Sequence, residues 1–389
     1  MCSLWYLERR RKNNRLPLPS ISPSHFGHHM QLSLAQTLLE SRKQPKFRFE
    51  QLKRAFYVEH RRSWDELSTF PKELRAELSA EVPWDAMTFV REQAADNGET
   101  IKALLACADG KKIETVLMCH EDERNTVCVS SQVGCAMACS FCATGTMGLT
   151  RNLTRDEIAE QVLYYVRRLG EKGERVTNVV LMGMGEPLHN YDEVLGALRI
   201  MNDPQGMNIG ARHRSVSTSG IVPGMLRLAD EKFQVNLAIS LHSAIDEVRA
   251  KIMPVNRPYP LAKLMAAVRT YMEKTNRKVM FEYLLLSGIN DRPEDARALK
   301  RLFGDDMRLV HVNLIKYHNT QAFEGTPKDR RVAFLRELHE LGIPATHRIT
   351  FGEDIDAACG QLAVKDAAGN VLQGQAAIVA NKEGKNVRV

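Results

Sequence analysis

Cys135-Ala136-Met137-Ala138-Cys139-Ser140-Phe141-Cys142 places three thiols within eight residues. Iron–sulfur clusters are held by cysteine thiolates, usually four of them. Three ligands at this spacing can hold three irons of a cubane and leave the fourth iron without a protein ligand. An open iron can chelate the amino and carboxylate groups of a small molecule such as S-adenosylmethionine. An electron passed through that iron can break the sulfonium bond and yield an adenosyl radical. The competing use of the same thiols is a structural zinc site, which needs four nitrogen or sulfur ligands in a tetrahedron. Cys128, seven residues upstream, can supply the fourth.

Outward from this run the chain alternates. Apolar β-branched stretches at 126–130, 178–182, 215–217, 235–240, 279–285 and 309–315 are separated by helical ones at 156–169, 192–201, 224–230, 261–275 and 293–303. Repeated strand-then-helix units predict an α/β fold whose parallel sheet closes at least partly into a barrel. In such folds the chemistry sits at the C-terminal ends of the strands. The cysteine run follows the first strand, and Thr150-Arg151-Asn152-Leu153-Thr154 after it reads as a helix entry with an N-cap.

The later strands end in polar or flexible residues. The second ends in Gly183-Met184-Gly185-Glu186-Pro187, where glycine allows close backbone approach to a ligand and Glu186 can accept hydrogen bonds from a ligand ammonium group. The third runs into Ser217-Thr218-Ser219-Gly220 and the fourth into Ser240-Leu241-His242. Alone, either would be a turn or cap; together they suggest a polar ligand across the barrel mouth, with His242 readable as ligand or as structural histidine. The sixth ends at Lys316-Tyr317-His318-Asn319, where Asn319 can bind a ribose or amino-acid moiety. A further strand at 345–350 leads into Asp354-Ile355-Asp356-Ala357-Ala358-Cys359-Gly360, whose small residues suggest a mobile loop on the side of the site.

The 389-residue chain suits one large α/β domain plus a smaller one. Its 44% hydrophobic and 26% charged residues are ordinary for a globular protein. No run of about 18 uncharged apolar residues appears, so no membrane span is expected. The eight cysteines follow no secreted disulfide pattern, and a reducing, cytoplasmic setting with a metal site fits them better. A net charge of +7 is compatible with a polyanionic partner. Residues 1–30 read as a disordered basic extension and 31–114 as a mainly helical accessory domain. The barrel is expected over 115–352 and a C-terminal loop and tail over 353–389. Basic and aromatic residues interleave from Arg42 to Arg62: Lys43, Lys46, Arg48, Lys53 and Arg54 with Phe47, Phe49, Phe56 and Tyr57. This suits phosphate contact with base stacking, or equally an amphipathic helix with core aromatics and a solvated basic face.

These segments, together with Glu114-Thr115-Val116, Cys128-Val129-Ser130-Ser131-Gln132-Val133-Gly134-Cys135 and Ala358-Cys359-Gly360-Gln361-Leu362, resemble the radical S-adenosylmethionine rRNA adenine methyltransferases of the RlmN/Cfr type. The resemblance runs from about Lys46 to Leu362 and implies a partial (β/α)6 radical SAM barrel. It implies Cys135, Cys139 and Cys142 as ligands of a [4Fe-4S] cluster with one iron open to S-adenosylmethionine, two of which are used per turnover. Gly185, Glu186, Ser217, Ser240, Leu241, His242 and Asn319 become cofactor-binding positions. Cys359 becomes the methyl carrier, Cys128 the resolving thiol that pairs transiently with it, and Glu114 the proton acceptor.

The implied scheme answers a chemical problem: an aromatic adenine carbon cannot attack a sulfonium methyl in the polar way. A radical on the methyl of Cys359 adds to the ring and tethers RNA to protein; Glu114 takes the ring proton; Cys128 attacks the sulfur of Cys359 and frees the product. The implied substrate is 23S rRNA near the peptidyl transferase centre, modified at carbon 2 of adenine, with the tRNA anticodon loop as a second. Carbon-8 methylation of the same rRNA adenine shares every motif. A reductant of flavodoxin type and a monomeric state are also implied. Outside this class stands the zinc reading, a non-catalytic RNA-binding module. The resemblance does not require the extension before Met30. Glu114 by itself reads as a surface loop residue.

Overall fold

The computed structural model describes residues 32–318, 320, 322–365 and 371–372. The extension 1–30, Asn319 and most of the tail lie outside the described residues. Helices α1 (Leu32–Ser41), α2 (Phe47–Tyr57) and α3 (Lys72–Glu81) come first. Each buries one apolar stripe, as in Leu32, Ala35 and Leu39 of α1 or Leu74 and Leu78 of α3. With Trp64, Phe70, Val82 and Trp84 these stripes form a core of their own. Trp64 and Trp84 meet edge to face at 5.1 Å. Their indole N–H groups donate to Val82 O at 2.6 Å and Arg61 O at 2.7 Å, so neither buried polar edge is wasted.

This core bears on the two readings of the basic–aromatic stretch. Phe56 and Tyr57 are buried in it and present no face to a base. Arg42 pairs with Glu77 and Glu81, Lys53 with Glu50 and Asp203, and Arg54 and Arg61 with Glu59. Phe47, 53% exposed, is the aromatic of the stretch that remains open.

The expected helical character ends at Glu81, not at Glu114. Strands β1 (Met87–Ala94), β2 (Thr100–Cys107) and β3 (Lys112–Cys119) follow as an antiparallel meander that runs on into β4 (Asn125–Cys128). The sequence misleads because β2 and β3 are buried on both faces. Thr100-Ile101-Lys102-Ala103-Leu104-Leu105 shows no alternation, and a short apolar run does not separate strand from helix. The boundary expected at 114/115 cuts through β3.

From β4 onward the order is as expected. A hairpin of β5 (Gln132–Gly134) and β6 (Leu149–Asn152) flanks the short helix α4 (Ala143–Thr146), so β5 stands between the first barrel strand and the cysteine run. Then come α5 (Arg155–Gly170), β7 (Asn178–Leu181), α6 (Tyr191–Asn202), β8 (Arg214–Thr218), α7 (Val222–Asp230), β9 (Asn236–Ser240), α8 (Asp246–Ile252) and α9 (Leu261–Thr275). Next come β10 (Val279–Leu285), α10 (Pro293–Phe303), β11 (Val310–Lys316), α11 (Lys328–Glu340) and β12 (Ala345–His347).

The main sheet runs β1-β2-β3-β4-β7-β8-β9-β10-β11-β12. It is parallel from β4 to β12, with β1 and β12 at its ends, so it is a partial barrel. No described helix is long and apolar enough to cross a membrane.

Helix α5 sets the barrel's first crossover. The Thr154 hydroxyl accepts from Glu157 N–H at 3.2 Å while Glu157 accepts from Thr154 N–H at 2.8 Å, a capping box. Thr154→Ala is expected to cost about 1 kcal/mol in urea denaturation and Thr154→Ser almost nothing; equal midpoints for all three proteins would show that the cap contributes no stability.

Candidate active site

The cysteine run lies in a loop closed at its base by the β5–β6 hairpin. Gly134, at φ 78°, has no room for a side chain: a Cβ there would lie 1.8 Å from Gly148 O. Cys135 N–H donates to the same Gly148 carbonyl at 3.0 Å, fixing where the loop begins. Met137 N–H points at Cys135 Sγ at 3.5 Å, and N–H groups of Thr144 and Gly145 face Cys142. Burial pushes all three thiols up in pKa, and each sulfur is further disfavoured as an anion by its neighbours' charge. Amide donors aimed at buried sulfurs suit metal-bound thiolates, whose charge the metal balances.

Among the described residues no three His, Cys, Asp or Glu side chains converge as ligands of a single ion. A cubane does not need such convergence, because each thiolate binds its own iron; a mononuclear zinc site does. The donor set fits the cluster.

The next strand ends are drawn together by polar side chains. Gly185, at φ 103°, is forced by Gln132, whose Cβ would lie 2.6 Å from an added side chain. Glu186 Oε2 accepts from Ser219 N–H at 2.7 Å and Oε1 from Leu188 N–H at 3.0 Å. Its carboxylate therefore joins the loop after β7 to the loop after β8. Burial raises its pKa and these donors oppose the rise. Ser217 and Ser240 are half-buried near the ends of β8 and β9.

His242 is buried at φ 55°, its Nδ1 accepting from Leu284 N–H at 3.0 Å and its ring edge-on to Phe141 at 4.8 Å. Burial and the nearby Arg249 lower its pKa to about 3, so the ring is neutral with its proton on Nε2. In this geometry the histidine anchors the loop against the cysteine run. Asn319 lies outside the described residues.

Arg249 of α8 binds these strand ends from behind and carries no motif of its own. Fully buried, it donates to Leu241 O at 3.0 Å, Ser219 O at 2.6 Å, Ser240 O at 3.1 Å and Asn256 Oδ1 at 2.8 Å. Burial lowers its pKa only to about 10, so it stays charged. A planar fork of donors is what such a convergence of acceptors requires. Arg249→Met should leave these acceptors unpaired and cost about 3 kcal/mol or more; an unchanged urea midpoint would count against this tethering role.

Cys128 and Cys359 meet around one cavity, lined also by Cys142, Met182, Arg348 and Ile349 among others, while Glu114 lies on the neighbouring strand. Cys128 ends β4, its partner across the ladder being Val116. Glu114, two residues before Val116, shares its face of β3. It is a buried strand residue, 4% exposed, and not the surface loop residue the sequence suggested. Lys102 Nζ lies 3.1 Å from Glu114 Oε1, and Ala363 N–H donates to Oε2 at 3.0 Å. Burial raises the carboxyl's pKa and Lys102 opposes the rise.

The segment around Cys359 is anchored on both sides. Ala143 N–H donates to Gly360 O at 2.8 Å, Thr144 Oγ1 to Leu362 O at 2.5 Å, and Lys102 Nζ to Asp356 O at 3.2 Å. Cys359 itself stays exposed, and it and Cys128 are unbonded thiols.

Arg348 and Lys102 complete the site and are not marked by any sequence pattern. Arg348 Nη1 donates to Glu282 Oε2 and to Met182 Sδ, both at 3.2 Å. The charge of Cys359 raises its pKa first among the causes. Burial pushes Cys128 up to about 12, the charge of Cys359 adds to this, and Arg348 opposes both. Removing that cation in Arg348→Gln should raise Cys128 further and shrink its thiolate fraction at every pH below 12. Labelling of Cys128 by methyl methanethiosulfonate at pH 8, read by peptide mass, should slow on the order of tenfold. An unchanged rate would remove Arg348 from this role.

A model of the Radical SAM superfamily matches residues 129–302. A probable dual-specificity RNA methyltransferase RlmN of Staphylococcus epidermidis is 46% identical over 365 residues, covering 92% of this chain and 97% of its own length. A protein of the same name from Chloroflexus aurantiacus is 47% identical over 346 residues, covering 85% of this chain and 91% of its own. The crystal structure of a radical SAM methyltransferase from Sphaerobacter thermophilus matches with a TM-score of 0.82 at 47% identity, covering 86% of this chain and 97% of that one.

Proposed function

The chain belongs to the RlmN-type radical SAM RNA methyltransferases, and on that premise we propose that it methylates carbon 2 of an adenine in 23S rRNA, near the peptidyl transferase centre, and of an adenine in the tRNA anticodon loop. Membership makes it a radical SAM enzyme acting on RNA, with a [4Fe-4S] cluster and S-adenosylmethionine as cofactors, and sets aside the non-catalytic zinc module. The name dual-specificity RNA methyltransferase carried by the relatives supports two RNA substrates. A cytoplasmic, monomeric enzyme served by a flavodoxin-type reductant completes the proposal.

The observation that carries it is the meeting of Cys128, Cys142 and Cys359 at one cavity. Cys135, Cys139 and Cys142 would hold the cluster, and Gly185, Glu186, Ser217, Ser240, Leu241 and His242 would frame the cofactor beside it. When bound, the cluster supplies the electron that cleaves S-adenosylmethionine to a carbon radical able to take hydrogen from a methyl group.

The chain's own residues do the rest. Cys359 Sγ carries the methyl, and its exposure leaves it reachable by a second molecule. Once the methyl carbon is joined to the base, RNA is tethered to Cys359. Glu114 takes the ring proton onto a carboxylate that Lys102 and Ala363 keep in place. Cys128, as thiolate, then attacks Cys359 Sγ; an S–S bond forms as the bond from Cys359 sulfur to the transferred carbon breaks, its electron pair stays on that carbon, a proton taken up there completes the methyl group, and the RNA leaves.

Nucleoside mass analysis of RNA treated with the reconstituted enzyme should give 2-methyladenosine; carbon-8 product alone would replace this reading with the other. Cys128→Ala is expected to accumulate a covalent RNA–protein adduct, seen as a shifted band on a denaturing gel, and free methylated RNA at normal turnover would defeat the resolving role. Cys359→Ala should abolish transfer while leaving iron content unchanged.

A further inference from the structure

The depth of the reacting groups poses a problem for an RNA substrate. Cys128 and Glu114 are 9% and 4% exposed. A base held in a stack cannot bring a ring carbon to them, and enzymes that act on a base take it out of the stack. An extruded base loses neighbours on its faces and gains from apolar or aromatic surface that replaces them.

The chain offers such a surface at one place beside these thiols. Strand β12 ends at His347, and Arg348, Ile349, Thr350 and Phe351 run along the cavity. Ile349 is 70% exposed, more than any other large apolar side chain among the described residues. Phe351 lines the same cavity, its ring edge-on to that of His120 at 4.7 Å. Met118 and Met182 line it further.

A single exposed apolar residue is ordinary on a protein surface. This one lines the same cavity as the two thiols and directly follows Arg348, the cation beside them. A phosphate would call for a free cation at this rim, yet Arg348 is engaged by Glu282 at 3.2 Å. An apolar rim suits the face of a base.

We propose that Ile349, with Phe351 beside it, is the surface on which the extruded target adenine rests as its ring enters the cavity. This rests on the RNA-methylating reading above and adds to it the residues that grip the base.

The test uses the cluster-loaded enzyme and an RNA hairpin carrying 2-aminopurine at the target adenine, whose fluorescence rises on unstacking. Ile349→Ala is expected to diminish that rise and to increase KM for the unlabelled RNA on the order of tenfold. Methylation of Cys359 by S-adenosylmethionine without RNA, read by peptide mass, should stay at the wild-type level. Ile349→Leu should keep both RNA readouts, which guards against a variant that fails to fold.

Unchanged fluorescence and KM in Ile349→Ala overturn the proposal. So does an equal loss of RNA-free Cys359 methylation, which would place Ile349 in methyl loading or packing. A wild-type enzyme that yields no 2-methyladenosine defeats the function proposed above, whereas 2-methyladenosine formed with a KM indifferent to Ile349 defeats this inference alone.

Discussion

The site depends on the return of the C-terminal segment across the open side of the barrel. Among the hydrogen bonds that hold it are Ala143 N–H to Gly360 O, Thr144 Oγ1 to Leu362 O, and Ala363 N–H to Glu114 Oε2. The first two join it to the cysteine loop and the third to β3. They help to fix Cys359 relative to Cys128, which is more than two hundred residues earlier. Gly352 shows how close the segment lies, since a Cβ there would come within 2.6 Å of Thr100 Cγ2. Order here comes from anchors on each side of Cys359 and leaves the thiol itself exposed.

Buried charge is the second theme, and around the site three instances are matched. Arg249 meets a set of carbonyls, Arg348 meets Glu282, and Lys102 meets Glu114. A buried ion is costly unless its partners are in place. Such pairs hold strand ends and also tune chemistry: burial disfavours the Cys128 thiolate and Arg348 restores part of it. The same burial keeps His242 neutral, so its ring serves as an acceptor for Leu284 and not as a cation beside Arg249. The polar groups of the mouth thus divide between shaping the loops and setting the charge of the thiols.

The parallel half of the fold was legible because its signals are local. Strands such as Val279–Leu285 and helices such as Leu261–Thr275 and Pro293–Phe303 stand where hydrophobic period, proline and flanking turn residues place them. The meander was not legible, because strands buried on both faces lose their alternation; a run such as Ala103-Leu104-Leu105 reads equally as helix. Phe56 and Tyr57 carried two readings that only the packing of Trp64 and Trp84 around them could separate. Glu114 looked like a loop residue for the same reason as the meander, and its pairing with Lys102 depends on the ladder between β2 and β3.

By itself the sequence determined the donor chemistry and the order of the barrel: three cysteines at cluster spacing, glycine and serine at successive strand ends, and a strand–helix rhythm. Those are properties of residue type and near spacing, which a chain carries before it folds. Only the tertiary structure decided which thiols share a cavity, which cations face them and which apolar side chain stands at the mouth. Burial and long-range hydrogen bonding create those relations, and Arg249, Arg348 and Ile349 acquire their surroundings from neighbours that the chain brings from far away.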